Sequence, residues 1–373
     1  MTIPVSRPHL DDNDRKCVAE TLAASEISGT AGTFIPEFES AFAEYCGVPH
    51  GVATTNGTAA LHLALATLSI GPEDEILVST LTNMATFFAV LYQGAKPVPV
   101  DVEPDTWNMN PALLESLVTP RTKAILVVHL FGHPVDMDPV LSVARKHNLF
   151  VIEDAAEAHG AEYKGKRTGS LGDIGCFSFY ANKIITTGEG GMLVTRDKKY
   201  ADRARNLKSL AYGNENRFMH SDIGFNYRMT NMQAALGCSQ LKRIDFSIES
   251  KRGIANFYNN ALRDIADLQL PVEKPYAKNV YWMFHLVLRG GFKGKRVEVM
   301  RELKEKGVET RESFIPYNMQ EIFLKKGLTE QDLCPVANDI GQNGFYLPSG
   351  PVLSERELVY IATSLKEVLD SVR

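Results

Sequence analysis

The 373-residue chain lacks most of the features that would assign it a role at a glance. Its five cysteines, Cys17, Cys46, Cys176, Cys238 and Cys334, are odd in number, widely spaced and form no CxxC pair. That argues against a zinc ribbon or a disulfide framework and fits reduced thiols in a cytosolic protein. No apolar run approaches the ~20 residues that span a bilayer. The N-terminus lacks the apolar core of a signal peptide. The net charge is only −5, with no long basic run, so neither nucleic acid nor an anionic membrane is the expected main partner. Common catalytic signatures are missing too. His129 and His133 alone show HxxxH spacing and have no HExxH glutamate, and no carboxylate cluster has a metal-loop pattern. No metal site is expected. There is no GxSxG. The run Gly188-Glu-Gly-Gly191 does not match GxGxxG and reads as a tight turn.

What is present is an alternation. Short apolar runs recur at Gly51–Thr54, Glu75–Ser79, Pro97–Val102, Ala124–Leu130, Leu149–Glu153, Ile174–Phe179 and Gly191–Thr195. Helix-like segments lie between several of them, at Ala59–Leu68, Met84–Gln93, Pro111–Val118 and Met137–His147. This predicts an α/β fold with a central, mostly parallel, seven-stranded sheet. After Thr195 the pattern changes. Thr230 and Gln233 form a capping box, and a charged helical stretch runs from Lys242 to Leu262. A smaller α+β segment follows, with a strand near Tyr281–Leu288, a helix near Lys295–Lys306 and a C-terminal helix from Ser354. The length suits one large and one smaller domain, and the boundary is expected near Asp245, dividing residues 1–245 from 246–373.

One lysine stands out. Lys183 lies in Ser178-Phe-Tyr-Ala-Asn-Lys183, 29 residues after Asp154, which ends the strand-like run Leu149-Phe-Val-Ile-Glu-Asp154. In parallel sheets ligands bind at the carboxyl ends of strands. A lysine on a polar loop and a carboxylate at a strand end are what pyridoxal 5′-phosphate needs. The lysine holds the cofactor as a Schiff base, and the carboxylate keeps the pyridine nitrogen protonated. Asn56-Gly57-Thr58-Ala59 opens the first predicted helix, where Gly57 lets the backbone approach an anion held by the helix N-terminus. Thr58 is placed on the phosphate, with helix capping as its other reading. Ser178 is the second hydroxyl placed there, with a buried strand serine as the alternative. Asp154 has a second reading as a cap for the next helix. Glu157, about one turn later, is either within reach of the cofactor's phenolic oxygen or a solvated helix residue.

Several stretches in order are similar to the DegT/DnrJ/StrS family of sugar aminotransferases. They include Asn-Gly-Thr-Ala-Ala-Leu at 56–61, Glu-Asp-Ala-Ala-Glu-Ala at 153–158, Gly-Ser-Leu-Gly-Asp at 169–173 and Ser-Phe-Tyr-Ala-Asn-Lys at 178–183. Thr-Gly-Glu-Gly-Gly at 187–191, Gly-Phe-Asn-Tyr-Arg-Met-Thr-Asn at 224–231, Tyr281-Trp-Met-Phe284 and Leu347-Pro-Ser349 extend the likeness to the C-terminus. Within the family the chain is most similar to the perosamine-forming branch, which aminates C4 of GDP-4-keto-6-deoxymannose with L-glutamate as donor. The resemblance implies a fold-type-I homodimer with shared active sites, Lys183 as the cofactor lysine and Asp154 on the pyridine nitrogen. It implies that Asn226 reaches the phosphate of the neighbouring subunit's cofactor, and that Arg228 and Arg311 face substrate. Two departures are evident. Asn83 stands where the family carries a stacking aromatic, and Ile315 and Asn318 stand where the branch carries histidines. The family's dehydratase branch, which has histidine in place of the lysine, is disfavoured by Lys183 itself. A lyase of the same fold type and a non-catalytic regulator are the more distant readings.

Overall fold

Each of the seven apolar runs becomes a strand of one sheet in the computed structural model, which describes residues 2–213, 216–220 and 222–373. The strands are β1 His50–Thr54, β2 Glu75–Ser79, β3 Lys96–Val100, β4 Thr122–Val128, β5 Phe150–Asp154, β6 Ile174–Ser178 and β7 Gly191–Thr195. Their order is β1-β7-β6-β5-β4-β2-β3. Every pair is parallel except those made by β7, which runs antiparallel to both β1 and β6. The central strands are buried on both faces, which is why they read as continuous apolar runs rather than alternating ones.

This topology brings the ends of β1, β2, β4, β5 and β6 to one edge. The link from β6 to β7 is not a crossover helix but the loop 179–190, which leaves that edge and returns to it. It carries Lys183. The loop is pinned by Phe179 N donating to Gly190 O (2.8 Å) and Thr187 N donating to Phe179 O (2.9 Å). Gly188, at φ +81°, supplies the left-handed turn expected of the Gly-Glu-Gly-Gly run.

Several local expectations need correction. The helix expected over Pro111–Val118 is a 3-10 turn at Pro111–Leu113 followed by one α-turn at Leu114–Leu117. β3 ends at Val100 rather than Val102, because Asp101 turns away to accept the N–H groups of Val336 (3.0 Å) and Ala337 (2.9 Å). Asp154 caps no helix, since the residues after it form a tight turn closed by Ala158 N to Ala155 O (3.0 Å). Two helices that sequence reading left unassigned, Asp12–Ala23 and Phe34–Cys46, pack on the Asn231–Leu241 helix. That last helix does begin with the Thr230–Gln233 capping box.

A second, antiparallel sheet forms in the C-terminal part. It comprises β8 Leu268–Gln269, β9 Phe284–Leu288, β10 Arg311–Glu312 and β11 Gly344–Leu347, in the order β8-β9-β11-β10. The helices Arg296–Glu305 and Glu355–Ser371 cover it, the latter capped by Ser354 and Glu357. Its core has Phe284, Leu286, Leu303, Phe345 and Ile361, joined by Ile3 from the start of the chain. Conversely, Tyr317, Phe323 and Ile340 pack into the main core. Among the described residues no helix is long and apolar enough to cross a membrane.

Candidate active site

A cavity of about 510 Å³ opens at the strand-end edge. Gly57, Thr58, Asn83, Asp154, Glu157, Ser178 and Lys183 all line it. These residues come from four separate stretches of sequence, and the sheet edge is what assembles them.

Its acidic wall is built first. Asp154, the last residue of β5, is buried, and burial pushes its carboxyl pKa up. Its Oδ2 accepts from Thr86 Oγ1 (2.8 Å) and its Oδ1 from Ala156 N (3.2 Å). Both donors are neutral. Glu157 is buried rather than solvated, and desolvation pushes it up to about 7. Its Oε2 accepts from Phe131 N (2.9 Å), and its Oε1 lies 3.8 Å from Lys183 Nζ. Burial in turn pushes the Lys183 amine down, with Glu157 and Asp154 opposing that shift. Trp282 covers the amine from another side, its ring centroid 3.9 Å from Nζ.

The anion end is built from the Gly57–Thr67 helix. Asn56, not Thr58, is its cap, with Oδ1 accepting from Ala59 N (2.8 Å). The capping alternative for Thr58 is thereby removed, and its hydroxyl remains on the cavity wall. The N–H groups of the first turn have no partner inside the helix and favour an anion. Gly57 permits the close approach, since a Cβ there would fall 2.7 Å from Ser178 Cβ. Ser178 therefore stands beside the helix N-terminus at the end of β6.

The residues fit pyridoxal 5′-phosphate. The first helical turn, Thr58 and Ser178 suit a phosphate. A carboxylate held only by neutral donors suits a cationic ring nitrogen, and the desolvated amine of Lys183 suits a carbonyl. Neither histidine of the HxxxH pair is free to ligate. His129 Nδ1 accepts from Val135 N (3.1 Å), so its Nε2 donates to Glu153 (2.9 Å). His133 lies between Pro134 O (2.7 Å) and Lys274 N (3.2 Å).

Asn83 lines the cavity as expected, but its Oδ1 also accepts from Ala85 N (3.0 Å) at the start of the next helix. Neither nearby aromatic takes its place. Phe87 is buried against Tyr317 (4.1 Å, 6° between rings), and Phe88 lies outside the cavity wall. Asn318 does not face the cavity at all. It is fully buried, accepts from Thr80 Oγ1 (2.8 Å) and donates to Gln331 O (2.6 Å) and Asn338 Oδ1 (2.8 Å). Ile315 is half-buried and does not line the cavity either.

Three expected site residues lie outside this cavity. Asn226 forms a backbone bridge with Ser209, and Arg228 Nη1 donates to Ser209 Oγ (3.2 Å). Arg311 pairs with Glu309 (3.2 Å) in an adjoining cleft of about 240 Å³, which shares Tyr180, Asn182 and Tyr346 with the main cavity. Sequence reasoning missed Thr86, Trp282, Phe314 and Tyr346 as site residues. Trp282 had a signal, since it sits in the Tyr-Trp-Met-Phe stretch. It also missed Glu153, whose buried carboxylate accepts from Gly169, Leu171 and Gly172 N–H groups (2.7 Å each) and so ties the Gly-Ser-Leu-Gly-Asp turn beneath Asp154.

Comparison with known proteins decides the family. Residues 8–366 match the DegT/DnrJ/EryC1/StrS aminotransferase family. The chain belongs to it. The family is pyridoxal 5′-phosphate-dependent, as the site's chemistry requires. Among curated relatives, GDP-perosamine synthase of Caulobacter vibrioides is 45% identical over 371 residues, covering 98% of each chain. GDP-perosamine synthase of Escherichia coli O157:H7 is 42% identical, again over 98% of each. A putative sugar aminotransferase from Streptococcus pneumoniae, solved in its PMP form, superposes with a TM-score of 0.95 at 26% identity, covering 100% of this chain and 98% of that one. The α/β fold, the aminotransferase assignment and the cofactor are accordingly those expected from sequence.

Proposed function

We propose that this aminotransferase moves the amino group of L-glutamate to C4 of GDP-4-keto-6-deoxymannose, giving GDP-perosamine. The observation that carries the reading is the placing of Lys183 against Glu157 and Trp282 in the cavity that also holds Asp154 and the Gly57–Thr58 turn. The full-length likeness to two GDP-perosamine synthases supports the choice of sugar. When bound, the cofactor supplies an electron sink and carries the amino group between donor and acceptor.

The chain's own residues would do the rest. Thr58, Ser178 and the first turn of the Gly57–Thr67 helix hold the phosphate. Asp154 would keep the ring nitrogen protonated, and Thr86 fixes the carboxylate's orientation. Glu157 would lie within reach of the phenolic oxygen. Lys183 would hold the cofactor through Nζ, and that amine, once free, is the base placed to take the Cα proton of glutamate and the acid placed to give one at C4 of the sugar. Trp282, Phe314 and Tyr346 narrow the cavity and exclude water.

The working unit in this reading is a homodimer. Asn226 and Arg228 do not line their own cavity, and Phe218, Met219 and Ile223 nearby in sequence are largely exposed. An exposed apolar group of this kind favours contact with a second copy. There Asn226 would reach the partner's cofactor phosphate and Arg228 its substrate, while Arg311 reads substrate from the adjoining cleft. The test is incubation with ¹⁵N-glutamate and GDP-, UDP- or dTDP-linked 4-ketosugars. Label should enter the GDP-linked product in preference to the others, and equal or greater transfer to a UDP- or dTDP-sugar would reject the assignment.

A further inference from the structure

Lys183 Nζ has a carboxylate at 3.8 Å and an aromatic face at 3.9 Å, but neither is a hydrogen bond. A lysine that must leave one partner and swing to another is well served by contacts without a strict direction. The aromatic face belongs to Trp282, which holds the lysine a second time. Its indole Nε1 donates to the carbonyl of Asn182 (2.8 Å), the residue directly before Lys183 in the chain. Tryptophan offers a broad π-face and a ring N–H donor on one side chain.

Trp282 is itself held from behind. Its carbonyl accepts from Lys251 Nζ (2.9 Å), a fully buried lysine that also donates to Ser349 O (2.8 Å). Gly132, at φ +99°, lets the 280–282 segment come close, since a Cβ there would lie 2.9 Å from Trp282 N. Phe131 stacks over the indole (6.5 Å, 9° between planes) and donates its own N–H to Glu157. Both walls around the amine thus depend on the Phe131–Gly132 turn.

We propose that Trp282 is the positioning residue of Lys183, gripping the backbone before the lysine with its N–H and the amine with its ring face. This rests on Lys183 being the cofactor lysine. Lys183 bonds the cofactor's aldehyde carbon through Nζ with loss of water. Trp282 accelerates that condensation by holding the Asn182–Lys183 backbone so that the amine stays at the cavity, without touching the phosphate site.

The experiment uses full-length protein stripped of cofactor and compares wild type with Trp282→Phe and Trp282→Leu. Two quantities are read: the rate at which the visible band grows on adding pyridoxal 5′-phosphate, and the affinity for pyridoxamine 5′-phosphate, which cannot bond the lysine. Trp282→Leu loses both grips and should form the bond about tenfold more slowly, a difference of ~1.4 kcal/mol. Trp282→Phe keeps a ring face and should lose about threefold. Pyridoxamine 5′-phosphate affinity should fall by less than the rate of bond formation in both. Bond formation at the wild-type rate in Trp282→Leu would overturn the proposal. So would a parallel loss of pyridoxamine 5′-phosphate affinity, the mark of a merely structural role. A band surviving in Lys183→Met would instead overturn the reading on which the proposal rests.

Discussion

Glu157 Oε1 lies 3.8 Å from Lys183 Nζ, with the acid buried and the lysine side chain only 11% exposed, so each alters the other's proton affinity. Desolvation works on them in opposite senses. It raises the acid, lowers the base and brings the two closer in proton affinity.

That pairing has a consequence for stability. Glu157 is pushed up to about 7 from an ordinary 4.5. A carboxyl whose folded-state value lies above its unfolded one favours folding in its protonated form. Its contribution is intact below about pH 4.5 and is lost as the pH rises towards 7. In cofactor-free protein, Glu157→Gln should match wild type near pH 4.5 and be more stable above about pH 7, by on the order of 1–3 kcal/mol. Melting temperatures across that range provide the check. A variant less stable than wild type at high pH would show that attraction to Lys183 outweighs the burial cost.

Asp154→Asn should keep the fold, because the amide oxygen can still accept from Ala156 N while its NH2 donates to the Thr86 hydroxyl, which can reverse its role. It should nonetheless lose several orders of magnitude in turnover, since a neutral amide cannot hold the ring nitrogen protonated. Single-turnover rates with glutamate are the measurement. Near-wild-type rates would remove Asp154 from that role.

Mixing inactive Lys183→Ala and Asn226→Ala proteins tests the shared site. Hybrid dimers should regain activity in one of their two sites, because each cavity would draw its lysine and its asparagine from different chains. Silence after demonstrated subunit exchange would count against Asn226 crossing between subunits.

Asn83→Tyr would add a ring over the cofactor, worth about 0.5–1.5 kcal/mol beyond area burial. It would also give up the Asn83–Ala85 hydrogen bond that starts the Ala85–Tyr92 helix. The net gain in cofactor retention should therefore be real but under about tenfold. Dissociation half-times would measure it, and faster loss of cofactor would mean that the amide serves the site better than a ring.

The sheet was readable from sequence because its strands are buried on both faces and so print as uninterrupted apolar runs, with Asp154 marking one carboxyl end. Lys183 was readable because its motif is local. Trp282 was not assigned to the site, since its Tyr-Trp-Met-Phe stretch marks the family likeness but does not say which ring folds onto a lysine far back in the sequence. The role of Thr58 was ambiguous for a different reason. Asn56 and Thr58 are both good caps, and only the backbone shows that Asn56 takes the position. Asn318 looked like a substrate-facing departure, yet it is a buried knot joining Thr80 to the 331–338 segment. A motif fixes the neighbourhood of a side chain more surely than the direction in which it points.

The central claim is that Lys183 serves an amino-transfer cycle, and the two half-reactions test it most directly. The holoenzyme is first treated with L-glutamate alone, then freed of excess donor and given GDP-4-keto-6-deoxymannose. The account predicts stoichiometric loss of the Lys183-bound cofactor's visible band in the first step, with one 2-oxoglutarate per site. In the second step the band should return with one GDP-perosamine per site, and Lys183→Ala should complete neither half as a cycle. A band unmoved by glutamate, or one lost to glutamate but not restored by the GDP-ketosugar, would contradict it.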